Sequence, residues 1–179
     1  MKKVYDLSKI KSLKNRSIFF DTNILIYLFW PTNKSFEKQY SKIFSELLKQ
    51  KNNLFVDFIV ISEIVNRTIR IEYVNYIREY GISKNDLKFK EFRDSETGKN
   101  ILEDIFTIVN AKILKSFNIA TKEFTKNDIK NFLEVNLLDF SDKGIESICK
   151  DNNYILLTND SDFINSEIEV LTINKKLLK

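Results

Sequence analysis

The chain has 179 residues, 43% hydrophobic and 30% charged, with a net charge of +4, the make-up of a globular protein long enough to bury a sizeable core. Three glycines, one proline and no internal repeat argue against low-complexity, linker-rich or solenoid architectures. A single cysteine excludes an internal disulfide, and the absence of histidine excludes a Ser-His-Asp triad, a Cys-His dyad and imidazole-bound zinc.

A resident metal in such a chain is expected to be hard and oxygen-liganded, with Mg²⁺ or Mn²⁺ leading. No apolar run approaches the roughly 20 residues of a membrane helix, so no membrane partner is expected. Met1-Lys2-Lys3 is followed by Asp6, Lys9 and Lys11 rather than by a hydrophobic signal segment, and a cytoplasmic location is expected. Residues 1–16 carry Lys2, Lys3, Lys9, Lys11, Lys14 and Arg16 against Asp6. This arm reads either as a solvated N-terminal extension or as a contact for phosphates.

Ser17 to Phe20 has the bulky apolar composition of a buried parallel strand. Ile24 to Trp30 opens a helix that Pro31 closes. Phe29 and Trp30, near its end, are either core residues or contacts of a homodimer. Apolar residues at 36, 40, 43, 44, 47 and 48 predict a second helix, and Leu54-Phe55-Val56 a second strand. A long helix is predicted from Val60 to Tyr80, with Gly81 in the position where a left-handed residue ends a helix. Residues 82–100, polar and mixed in charge, read as a loop or lid with room for one helical turn, and Ile101 to Phe117 as a further helix. Asn127-Asp128 is a possible cap for a short helix ending near Val135. Ser141-Asp142 reads as a capping pair for a helix over 143–150, on which Cys149 is a small core residue. Tyr154 to Leu157 is predicted as a strand, and Ile168 to Ile173 as a final strand at an edge. The alternation of strands and helices predicts an α/β fold with a short, mainly parallel sheet flanked by helices. Residues 1–179 are expected to form one domain with a helical and loop insertion at about 82–135.

Four acids then share one end of the predicted sheet. Asp21 follows the first strand, Glu63 lies just after the second, Asp142 starts a helix, and Asp160 follows the strand at 154–157. Ligands of open α/β sheets bind at the carboxyl ends of strands. Carboxylates that converge there repel one another unless a cation neutralises them, which predicts Mg²⁺ or Mn²⁺. Against this stand local readings: Asp21 as a helix cap, Glu63 as a first-turn acid favoured by the helix dipole, Asp142 as an N-terminal capping residue, Asp160 as a turn residue. Asp162 is either an outer ligand or a turn acid.

Phe20-Asp21-Thr22-Asn23-Ile24-Leu25, Ser62-Glu63-Ile64-Val65, Asp142 with its helix, and Leu156-Leu157-Thr158-Asn159-Asp160-Ser161-Asp162-Phe163 resemble the motifs of PIN-domain nucleases. The order and spacing agree, including the 16 residues from Asp142 to Thr158. The resemblance implies a three-layer α/β/α fold and a Mg²⁺- or Mn²⁺-dependent endonuclease, usually acting on RNA. It implies Asp21, Glu63, Asp142 and Asp160 as the metal-holding and catalytic acids. Thr22, Asn23 and Thr158 are read as hydrogen-bonding residues that orient them. Many small relatives are toxins paired with an antitoxin protein, so an antitoxin is a candidate partner. The length of the 81–135 segment and the basic arm both depart from the small toxins. Two rivals remain. One is a phosphohydrolase using a strand-end aspartate, which usually wants a second acid where Asn23 stands. The other is a non-catalytic nucleic-acid-binding or assembly module that keeps the fold without turnover.

Overall fold

The computed structural model describes residues 3–179, so Met1 and Lys2 of the basic arm lie outside the described residues. Six strands form one all-parallel sheet: β1 (Val4–Tyr5), β2 (Ser17–Phe20), β3 (Asn53–Val56), β4 (Asn118–Ile119), β5 (Ile155–Leu157) and β6 (Val170–Leu171). Their order across the sheet is β1-β6-β5-β2-β3-β4. Helices α1 (Thr22–Phe29), α2 (Glu37–Lys49), α3 (Phe58–Glu79), α4 (Phe89–Asp94), α5 (Glu96–Ile108), α6 (Leu114–Ser116), α7 (Lys126–Phe132) and α8 (Phe140–Asn152) flank it, giving the expected three-layer α/β fold. A π-helical turn over Val109–Ile113 joins α5 to α6, so these run on as one interrupted helix.

Strand β2 is central because it can be apolar on both faces. Ile18, Phe19 and Phe20 are all fully buried, and successive side chains point to opposite sides of the sheet. Phe20 meets Phe117 edge-on at 4.8 Å and Phe44 at 5.9 Å, while Phe29 closes on the same two rings. Phe19 lies on Tyr154, which stacks on Phe55 at 4.4 Å. Phe29 is thus a core-facing residue. Trp30 packs toward the end of α3 and donates its indole N–H to Glu72 at 2.7 Å. Cys149 is buried in α8, as expected.

Four expectations need correction. Residues 82–100 are not a lid: α4 and the start of α5 lie there, and Phe92 and Ile105 build a second apolar cluster with Ile69, Tyr73 and Ile77 of α3. The α4–α5 corner is tight enough that a methyl group on Gly98 would meet the Phe92 carbonyl oxygen at 2.1 Å. The last strand is not an edge, because β1 pairs outside it through Val4↔Val170 and Tyr5↔Leu171. The arm that supplies β1 is therefore no solvated extension: Tyr5, Ile10 and Leu13 are buried. Finally, α7 is capped by Thr125, not by Asn127-Asp128. The Asp128 amide bonds the Thr125 hydroxyl, and the Asp128 carboxylate reaches back to the Thr125 amide.

Two predicted helix ends stand. Gly81 takes a left-handed φ of 63° just past the end of α3. Pro31 follows the last residue of α1 closely, and the Trp30 amide closes the helix on the Ile26 carbonyl at 2.8 Å. Among the described residues no helix is long and apolar enough to cross a membrane.

Candidate functional site

Asp21 is the first residue beyond β2, and its amide donates to the Leu157 carbonyl at the end of β5 at 3.1 Å. Although Asp21 is the residue from which α1 starts, its carboxylate makes no capping bond. Instead Oδ2 accepts Asn23 Nδ2 at 2.5 Å and Thr158 Oγ1 at 2.5 Å. The side chain is buried, 4% exposed. Burial, reinforced by the charges of Glu63 and Asp160, pushes its carboxyl up to about 6, although the Thr158 hydrogen bond and the Arg67 charge oppose this. A buried carboxylate with two neutral donors still carries a desolvation cost.

Thr158 and Asn23 tie the strand ends together. Thr158 follows β5 directly and is fully buried. Its hydroxyl donates to Asp21 and accepts the Asp160 amide at 2.9 Å. Asn23 Oδ1 accepts the Asn159 backbone N–H at 3.2 Å, and Tyr40 donates its hydroxyl to Asn159 Oδ1 at 2.8 Å. The loop after β5 is therefore held against the first turn of α1 and against α2.

Glu63 sits in the second turn of α3, past the first-turn position where the helix dipole alone would explain it. Its Oε2 accepts the Thr22 hydroxyl at 2.9 Å and its Oε1 accepts Arg67 Nη1 at 3.1 Å. The cap of α3 is Asp57, which accepts the Val60 amide at 2.8 Å. On α8 the expected capping pair is displaced by one turn. Asp139 is the cap, accepting the Asp142 amide and the Ser141 hydroxyl, each at 2.8 Å. The Asp142 carboxylate, in the first turn of α8, has no hydrogen-bond partner among the described residues. Burial pushes its carboxyl up to about 8, reinforced by the charges of Asp139, Asp21, Asp160 and Glu63.

Asp160 does part of what its local reading proposed. Its Oδ1 accepts the Asp162 amide at 2.9 Å and opens a short 3₁₀ turn over Ser161–Asn165. Asp162 is exposed, and its backbone amide is what ties it to the site. Sequence reasoning passed over Arg67 and Tyr40. A signal for Arg67 existed in its spacing four residues after Glu63 on a helix. Tyr40 carried none, since its partner lies far along the chain.

The four acids thus come from four separate elements and share the carboxyl end of the sheet, with the charges of Asp21, Glu63 and Asp160 all bearing on Asp142. Among the described residues, however, no three acidic or cysteine side chains stand close enough together to hold an ion by themselves. Two of the carboxylates are turned to neighbours: Glu63 to Thr22 and Arg67, and Asp160 to the turn amide. The donor set itself fits a hard cation. It is all oxygen, and its members raise one another's proton affinity in the way a nearby cation would reverse.

No curated protein matches the chain. The family model described as PIN domain matches residues 18–168, from β2 to the approach to β6. With Asp21, Glu63, Asp142 and Asp160 carried to one end of an all-parallel sheet and that match covering most of its length, the chain belongs to the PIN-domain family, a nuclease-type fold.

Proposed function

We propose that this protein is a metal-dependent endoribonuclease that hydrolyses RNA phosphodiesters. The observation that carries the reading is the Asp21 carboxylate, buried at a strand end, fixed by Asn23 and Thr158, and faced by acids from α3, α8 and the loop after β5. Asp21, Glu63, Asp142 and Asp160 hold Mg²⁺ or Mn²⁺, with Asp162 as an outer ligand. When bound, such an ion lowers the pKa of water and offsets charge that builds on phosphoryl oxygens. Thr22, Asn23 and Thr158 orient the carboxylates through the hydrogen bonds described above.

The phosphohydrolase alternative loses support, because Asn23 uses its amide to hold Asp21 where that chemistry wants a second acid. The reading treats residues 1–179 as one domain, since the sheet takes strands from both ends of the chain and from the 82–135 segment. Its finer form, a cytoplasmic toxin with a protein antitoxin, acting as a homodimer, is tested by co-expression with the product of a neighbouring reading frame. Growth arrest relieved by that product supports it.

The direct test incubates purified protein with end-labelled single-stranded and structured RNA, and with DNA of the same sequence. Internal cleavage of RNA in Mg²⁺ or Mn²⁺, stopped by chelator and lost in Asp21→Asn, is expected. Cleavage that survives exhaustive chelation overturns the proposal.

A further inference from the structure

Resting on the endoribonuclease reading, we propose that Arg67 is a substrate-binding residue whose guanidinium holds a phosphate of the RNA strand at the rim of the acid cluster. The need for such a group follows from charge. The end of the sheet that would receive a polyanion presents Asp21, Glu63, Asp142 and Asp160, which repel phosphate wherever they are ionised and not offset by a cation.

Arg67 is placed to offset that repulsion. It lies one helical turn beyond Glu63 on α3, and among the described residues its one partner is Glu63, with Nη1 on Oε1 at 3.1 Å. The other Glu63 oxygen accepts the hydroxyl of Thr22, the residue after Asp21. The guanidinium is therefore anchored to the cluster by one edge. Its side chain is 49% exposed, which leaves the remaining donors open to solvent. Burial raises the proton affinity of both Asp21 and Tyr27, and the Arg67 charge opposes that rise at each. A planar guanidinium can hold a carboxylate with one edge and a phosphate with another, which a lysine ammonium cannot do with the same geometry.

Several other cations are committed elsewhere. Lys143, next to Asp142, is buried and donates to the Phe132 and Glu134 carbonyls. Lys122 is paired with Asp151, and Arg16 with Glu169. Leu13 and Arg16 bond through their carbonyls to Asn52, just before β3, so this part of the basic arm lies at the amino ends of the strands. The opposite end carries the acids.

The competing description is a surface pair spaced i,i+4 that merely braces Glu63. Steady-state cleavage of an end-labelled single-stranded oligoribonucleotide, measured with Mg²⁺ at several salt concentrations, separates the two. Arg67→Met, which keeps the aliphatic stem, and Arg67→Lys are compared with wild type after thermal melts show that each is folded. The proposal expects Arg67→Met to raise KM about tenfold and leave kcat within about threefold. It expects the slope of log KM against log salt to fall by about one, as for the loss of one phosphate contact, with Arg67→Lys intermediate. An unchanged KM and salt slope, with lower kcat or a higher Mg²⁺ requirement, assigns Arg67 to bracing Glu63 and overturns the proposal. Wild-type protein that cleaves while Arg67→Met is indistinguishable from it overturns the Arg67 proposal alone. Wild-type protein with no cleavage overturns the endoribonuclease reading and this proposal together.

Discussion

Thr158 and Asp21 follow adjacent parallel strands and meet through a hydrogen bond of 2.5 Å from the threonine hydroxyl to Oδ2. Because the same hydroxyl accepts the Asp160 amide, one buried side chain sets the positions of two of the acids.

Thr158→Val keeps the shape and removes that donor. The buried Asp21 carboxylate then loses a partner, at a cost of about 1–3 kcal/mol to the folded state at pH 8, and its proton affinity rises further. Cleavage should fall by about 10- to 100-fold, the usual effect of losing a group that orients a metal-holding side chain. Thr158→Ser should retain most activity. Equal activity of the valine and serine variants in the oligonucleotide assay would remove Thr158 from the site.

The metal-free protein should lose stability as pH rises. Asp21 and Asp142 have folded-state pKa values raised to about 6 and about 8 from an ordinary 3.8, so the folded chain binds more protons than the unfolded chain above pH 4. Their contribution is fully present below pH 4 and is lost as pH climbs through about 6 and then about 8. The slope for one group cannot exceed about 1.4 kcal/mol per pH unit. Melting in chelator should show a falling Tm from pH 5 to 8, and Asp142→Asn should flatten the part above pH 6. A Tm that rises over this range would contradict the arrangement of acids.

Asp142 and Asp139 make separable predictions. Asp142→Asn should abolish cleavage while raising the Tm of the chelated protein, because a repelled, half-buried charge disappears. Asp139→Ala removes the cap of α8 and should lower stability by about 1 kcal/mol while cleavage persists. Were Asp139→Ala inactive at full stability and Asp142→Asn active, the third acid would be misplaced by one helical turn.

The N-terminal arm should act through stability. Deleting residues 1–14 removes β1 and the buried Ile10 and Leu13, each contributing about 1.5–3 kcal/mol, and should lower the Tm severely. Reversing charge at the exposed Lys11 and Lys14 should leave both Tm and KM near wild type. A large rise in KM for the charge reversals would restore the arm as a phosphate contact.

Much of the candidate site was legible because strand ends are local features. An apolar run that breaks into Asp21-Thr22-Asn23 or Thr158-Asn159-Asp160 declares both the strand and the residue leaving it. The cap of α8 was not legible, since Asp139, Ser141 and Asp142 are all good capping residues and only the entry angle of the chain chooses among them. The segment 82–100 looked polar because its short helix α4 buries one deep ring, Phe92, against α3, too little to register as a period. Strand β1, two residues long, exists only because β6 offers it a partner.

The sequence alone determined the chemistry that is possible: no histidine, one buried thiol, and acids spaced so that strand ends and helix starts deliver them to one side. The tertiary structure decided how those acids stand toward one another. It turned Asp21 to Asn23 and Thr158, Glu63 to Thr22 and Arg67, and left Asp142 unpaired, because hydrogen-bond partners and charge repulsion act across strands that only folding makes adjacent.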